Sequence, residues 1–235
     1  KLTDIDLSGI ETVGDSAFCE AALTEIDLTS VESISKYAFV NNRNLTKVIL
    51  GDEEITLGEG AFLECGSLKS VKLPGTITEI PAKAFRSCYN LNTFEFSNSI
   101  RTIGKEAFAY SGIENPELNG TLSEIGEGAF KNCSAITNVQ LSDTVTILHE
   151  SAFENCRTLT EIVIPDGVRC IGMTAFTGCT GLTAWGKLVA VQGTNLLYDG
   201  EVVGTVIEGE KQFAVVNTRM VIWPDKVYLD MVSKE

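Results

Sequence analysis

Seven cysteines, one histidine and 32 carboxylates are the residues of this 235-residue chain that could carry chemistry. A cysteine can serve as nucleophile, disulfide partner or metal ligand, and spacing decides among these. The stretch IGEGAFKNCSAITNVQL at 125–141 returns as LHESAFENCRTLTEIVI at 148–164, 23 residues later. Cys65, Cys88, Cys133, Cys156 and Cys179 occupy one position of this recurring pattern, and the other copies hold Ala21, Asn42 and Ser111 there. A slot that accepts Cys, Ala, Ser and Asn is small and tolerates polarity. It reads as a structural ladder of reduced thiols, each a small buried hydrophobe with a weak donor. Neighbours ~4.8 Å apart fall within the Cα range of a disulfide, but stacked residues aim their Cβ atoms in parallel, whereas a bridge needs convergence. With no C-x-x-C and a single His, no metal site is expected. Cys19 and Cys170 lie outside the ladder and are expected to be more exposed, either incidental or reactive.

The remaining chemistry is thin. His149 takes a slot held by Gly or Pro in several copies, which makes it an exposed turn residue. No Ser-His-Asp order and no phosphate-binding glycine loop stands out, so neither an enzyme nor a cofactor is expected. Lys plus Arg number 18, leaving a net charge of −14. That sign repels phosphate backbones and anionic lipid, so nucleic acid is excluded as a partner. No apolar run nears the ~18 residues of a membrane span, so direct membrane insertion is not expected.

The elements that position these side chains are repeats. Ala-Phe recurs at Phe18, Phe39, Phe62, Phe85, Phe108, Phe130, Phe153 and Phe176, with spacings of 21, 23, 23, 23, 22, 23 and 23. Each unit opens with an apolar-patterned segment, LTDIDL, LTEIDL, LTKVIL, LKSVKL, LNTFEF, IENPEL, ITNVQL or LTEIVI. Alternation within these segments predicts a half-buried strand. A turn follows, then a second apolar pair, then x-x-A-F. One such unit cannot bury its apolar face alone, and stacked copies can. The expected product is a rod or shallow arc roughly 40 Å long at the strand spacing. Leu and Ile columns would line its inside, with the eight Phe residues as a stacked spine. The Ala before each Phe leaves room for turns to touch. Pro116 cannot donate to a strand ladder and predicts a local irregularity.

The pattern I-G-x-x-A-F-x-x-C-x-x-L-T-x-V-x-L-P, best seen at 125–141 and in ITEIPAKAFRSCYNLNTFEF, closely resembles the BspA-like leucine-rich repeat family of bacterial surface proteins. The resemblance covers residues 2 to 185. It implies an α/β but β-dominated right-handed solenoid of about eight 21–23-residue repeats, with residues 1–185 as the array. Residues 186–235 are expected to be a β-rich C-terminal cap or degenerate repeats. There, Asp199-Gly200 suits a hairpin turn, QFAVVNTRMVIWPDKVYLDM reads as one or two more strands, and Trp185, Phe213 and Trp223 are candidate covers for the array's end.

By the same resemblance the chain is expected at the cell surface or secreted, as a non-catalytic adhesion module for a protein or a cell-surface glycoconjugate. The alternative is a structural spacer without a ligand. The first strand's outward residues form the candidate binding face: Asp4, Asp6, Glu25, Asp27, Lys47, Lys72, Glu95, Glu117, Asn138, Gln140 and Glu161. Four adjacent carboxylates at its start form an acidic patch, with Ca²⁺ binding the weaker reading. This face lacks aromatic residues, which weighs against sugar stacking and favours a protein partner.

Overall fold

The computed structural model describes residues 2–165 and 167–182 in full and, beyond them, the backbone of six strands. Strands are numbered in chain order. The alternating segments form one column: β2 (Glu25–Leu28), β4 (Lys47–Leu50), β6 (Ser70–Lys72), β8 (Thr93–Glu95), β10 (Glu117–Leu118), β12 (Asn138–Leu141) and β14 (Glu161–Val163). The second apolar pairs form a parallel column of two-residue strands. These are β1 (Thr12–Val13), β3 (Ser33–Ile34), β5 (Thr56–Leu57), β7 (Glu79–Ile80), β9 (Thr102–Ile103), β11 (Glu124–Ile125), β13 (Ile147–Leu148) and β15 (Cys170–Ile171). Every pairing in both columns is parallel and joins one turn to the next, as in Ile26↔Val48 and Ile125↔Leu148. The chain is thus a parallel β-solenoid. The first segment, LTDIDL, forms no strand; an end rung has a neighbour on one side only, and its backbone bond to the next turn, Thr24 N–H to the Thr3 carbonyl, is a long one at 3.4 Å.

Among the described residues there is no helix, so the α part of the expected class is absent here. The x-A-F-x-x-C segment, where a helix would sit, winds instead as successive tight turns. The residue before each Ala has a left-handed backbone: Ser16, Tyr37, Gly60, Lys83, Glu106, Gly128, Ser151 and Thr174, all with φ between 53° and 60°. So does the residue before each ladder position, from Glu20 to Gly178. A left-handed residue every fourth position cannot belong to a right-handed helix. The turns instead make a third ladder. The Phe N–H donates to the Ala carbonyl of the next turn, at 2.8–2.9 Å, from Phe18 to Ala38 through Phe153 to Ala175.

That ladder sets the side chains in register. Successive Phe rings lie 5.2–5.6 Å apart, centroid to centroid, within 11° of parallel. All are fully buried except Phe18, the half-buried end ring. The preceding Ala is buried from Ala38 onward. Leu, Ile and Val from both strand columns close the core around the rings. On the outside of the turns, ion pairs link adjacent rungs, such as Lys83 to Glu59 at 2.9 Å and Lys131 to Glu154 at 2.7 Å.

Each strand column is interrupted once, and each time at a proline. In the second column the N–H after each strand pair normally bonds the previous turn, as Gly58 does to Ile34 and Gly104 to Ile80. Pro81 holds that place after β7 and has no N–H; β5 and β7 do not pair. In the first column β8 and β10 do not pair, and Pro116 is the residue that should sit opposite Phe94. The irregularity expected at Pro116 is therefore a split of the sheet.

Beyond the array, β16 (Val189–Gln192), β17 (Asn195–Tyr198) and β18 (Glu201–Thr205) form one antiparallel sheet. A second holds β19 (Gln212–Val216), β20 (Arg219–Trp223) and β21 (Val227–Asp230). The last stretch thus carries three strands, not one or two; the polar breaks at Asn217-Thr218 and Pro224-Asp225-Lys226 separate its β-branched runs. Asp199-Gly200 lies outside the described residues but between the antiparallel β17 and β18. Trp185 and the side chains of Phe213 and Trp223 also lie outside them.

Two substitutions separate spine from backbone. Phe62→Ala should lower unfolding stability by about 3–5 kcal/mol. Glu64→Gly, at a left-handed position (φ 60°), should raise it by up to about 1 kcal/mol. Urea unfolding followed by circular dichroism checks both.

Candidate functional site

The five ladder cysteines are fully buried, and each thiol donates to the Phe carbonyl of the preceding turn. Cys65 reaches Phe39 at 3.1 Å, Cys88 Phe62 at 3.2 Å, and Cys133, Cys156 and Cys179 reach Phe108, Phe130 and Phe153 at 3.0 Å. Burial pushes the Cys65 thiol up to about 12 and the Cys133 thiol to about 11, and raises Cys88 well above its ordinary value. Cys156 is raised as well, by the Cys179 thiol beside it and by burial. A thiol held protonated is a poor nucleophile. There is no disulfide among the described residues, and Cys19 and Cys170 are exposed.

Asn42 shows what the slot is for. It is fully buried, donates to the carbonyls of Phe18 and Phe39, and accepts from the N–H groups of Ala22 and Leu23. Those two donors belong to the shortened first turn, whose own slot residue is Ala21. Ser111, in the other shortened turn, lies 3.5 Å from the Cys133 sulfur.

On the first strand column Glu25, Asp27, Lys47, Lys72, Glu95, Glu117, Gln140 and Glu161 are exposed, and Asn138 is half-buried. Asp4 and Asp6 are exposed on the end segment, which is not a strand. Asp6 and Asp27 each accept from the N–H two residues on, Ser8 at 2.8 Å and Thr29 at 2.9 Å. Those bonds hold both carboxyls below the usual range and occupy one oxygen of each. No group of three or more His, Cys, Asp or Glu residues among the described residues converges as metal ligands would. His149 is exposed, its Nε2 3.5 Å from a Glu124 carboxylate oxygen.

The split at Pro116 opens a recess of about 550 Å³ between β8 and β10. Its floor includes Phe94 and Phe96, whose ring centroids are 4.6 Å apart. Asn92, Asn98, Asn115 and Asn119 stand among its walls. Asn115 ties the unit to the following turn instead: its Oδ1 accepts from the N–H groups of Thr137 and Asn138 and from the Thr137 hydroxyl.

A second recess, about 800 Å³, lies beside it and shares Asn92 and Glu114 with it. It exists because this turn is one residue short. Ser111-Gly112-Ile113 replaces the C-x-x-L of regular turns, and Gly112 passes so close to Tyr89 that a Cβ would meet the Tyr89 carbonyl oxygen at 2.1 Å. The retreat leaves Tyr89 63% and Tyr110 39% exposed. Tyr89 lies against Gly66, and the Arg86 guanidinium sits 5.7 Å from the Tyr110 ring centroid. Aromatic side chains are therefore available beside the strand face, whose own outward positions carry none. They come from the inward position of β8 (Phe94), from Phe96 just after it, and from the turn flank. The signal was present in the 22-residue spacing from Phe108 to Phe130 and in Gly112.

A stacked, helix-free array of this geometry with an A-F-x-x-C turn defines a leucine-rich repeat of one kind. The family model described as BspA type leucine-rich repeat region matches in six copies over residues 1–114 and 55–183, and the chain belongs to that family. A leucine-rich repeat protein of T. pallidum is 30% identical with a TM-score of 0.64, over 68% of this chain and 78% of its own. One from Bacteroides ovatus is 29% identical with a TM-score of 0.60, over 73% of this chain. The match spans half the length of that protein. No curated protein matches.

Replacing Asn42 by Ala strands the buried Leu23 N–H and the half-buried Ala22 N–H and should cost roughly 2–3 kcal/mol in urea unfolding, whereas Ser111→Ala costs under about 1 kcal/mol. A thiol reagent on the native protein should modify Cys19 and Cys170 and spare the five ladder thiols until unfolding. Because burial raises the Cys65 thiol from 9.0 to about 12 and the Cys133 thiol to about 11, the stability these two contribute is complete below pH 9 and is lost as pH rises from there towards 12. An alkaline series of urea melts, with the five ladder cysteines intact or replaced by Ala, reads this slope.

Proposed function

We propose that this chain is a non-catalytic, surface-exposed or secreted binding module that presents its first strand column to a protein partner. The observation that carries the reading is the exposed polar strip running from Glu25 to Glu161 over a rigidly stacked core. Strands hold these side chains at fixed spacing, and recognition by an extended surface uses such spacing. The five ladder thiols are sequestered and the one His faces solvent beside Glu124. Family membership supports the same reading, since BspA-like proteins resembling this chain are mostly surface-exposed and some attach cells to other proteins.

The test is binding of the intact chain to an array of purified extracellular-matrix and cell-surface proteins by surface plasmon resonance. A partner should bind with an on-rate that falls as salt rises, given the net charge of −14. The double variant Lys47→Ala, Lys72→Ala and, separately, Gln140→Ala with Glu161→Ala should weaken it at least about tenfold. Binding indifferent to both variants removes the strand face from the reading; no binding at all favours a spacer.

A further inference from the structure

The turn that carries both Gly112 and Pro116 combines a shortened loop with a broken strand ladder. Two changes in a single repeat, the missing residue at Gly112 and the proline at Pro116, open two adjoining recesses of about 800 and 550 Å³. Tyr89 and Tyr110 are the exposed aromatic side chains of the described core, and both line the larger recess. Carboxamides dominate the polar groups: Asn90, Asn92 and Asn132 in the larger, Asn98, Asn115 and Asn119 in the smaller. We propose that these joined recesses bind a neutral oligosaccharide, with Tyr89 and Tyr110 as stacking platforms and the carboxamides as its hydroxyl partners.

The chemistry selects this ligand class. A sugar hydroxyl both donates and accepts, and a carboxamide presents both functions at a fixed separation. The apolar faces of a pyranose ring match an exposed aromatic ring. Pocket size falls in the range that holds small ligands, about 300–1,000 Å³ each. Lys69 is the single cation of the lining, against the carboxylates Glu95, Glu114 and Glu117, so sulfated or sialylated chains are repelled. A metal has no set of three or more converging His, Cys, Asp or Glu residues among the described ones. An extended peptide would need a run of open strand edge; β10 is two residues long and follows directly on Pro116.

The platforms are held before any ligand arrives. Tyr89 packs on Gly66, whose missing Cβ would stand 3.3 Å from its ring, and Tyr110 is flanked by Arg86. Arg86 is itself tied to Glu106 at 3.0 Å. Asn92 is braced by the Thr93 hydroxyl at 3.3 Å. Preorganised groups lose little freedom on binding.

This inference deepens the reading of the chain as a binding module and can fail without it: the smaller recess meets the strand face at Glu95 and Glu117, but Lys47, Lys72, Gln140 and Glu161 lie outside both recesses. The experiment is isothermal titration calorimetry of the whole chain with cellohexaose, maltohexaose, mannohexaose, xylohexaose and chitohexaose, with heparin hexasaccharide and sialyllactose as anionic controls. At least one neutral hexaose should bind. Tyr89→Ala and Tyr110→Ala should each weaken it about tenfold or more, and Tyr89→Phe by under about threefold, with circular dichroism unchanged. The Lys47→Ala, Lys72→Ala variant should leave it intact while weakening the protein partner. The proposal is overturned if the whole neutral panel is silent, if the anionic probes bind as well, or if binding ignores both tyrosine variants. It is also overturned if a random heptapeptide library yields ligands that compete at the recess while the sugars do not.

Discussion

The distance between rungs is set by one repeated hydrogen bond, from the Phe N–H of each turn to the Ala carbonyl of the next. Everything else follows from that spacing. It brings the Phe rings to about 5 Å offset contact, where aromatic pairs attract beyond their burial. It allows only a small residue before each Phe, since the backbones of adjacent turns touch there. It also places each slot side chain under the previous turn's Phe carbonyl, which a thiol or a carboxamide can reach, as Cys65 reaches Phe39 and Asn42 reaches Phe18. The left-handed residues that flank each turn cost conformational energy, and the inter-turn bonds and buried rings offset it.

Within so regular a scaffold, function has to come from what departs from the repeat. Each proline removes one donor and uncouples one strand pair, Pro81 in the second column and Pro116 in the first. The turns on either side remain stacked: Gly112 bonds to Cys88 and Thr121 to Asn98. This unit is therefore held at both ends while its middle stands away, and Phe94 of β8 and the following Phe96 become half-exposed. Phe94 stays in edge contact with Phe85 and Phe108, so the recess floor is an extension of the spine. A surface feature and the core share one set of rings.

Much of this was legible in the residues. The eight Ala-Phe pairs, the alternating segments and the mixed occupancy of the cysteine slot announce a stacked array with a packed ladder, and Pro116 announces a break. What was not legible follows from physical causes. The turns are not helical because every fourth backbone is left-handed, and residues such as Lys83 and Glu106 carry no sign of that. The end segment LTDIDL has a strand's pattern but lacks a neighbour on one side. The recess could not be found by reading outward strand positions, because Tyr89, Tyr110, Phe94 and Phe96 all lie off that face.

The sequence alone determined the period, the columns and the identity of each rung's filler, because a periodic burial pattern has few ways to close on itself. Tertiary structure decided which departures matter. A missing residue at Gly112 and a missing donor at Pro116 are neutral facts along the chain; only stacking against regular turns above and below converts them into adjoining cavities, since a gap exists only relative to neighbours that stay in place.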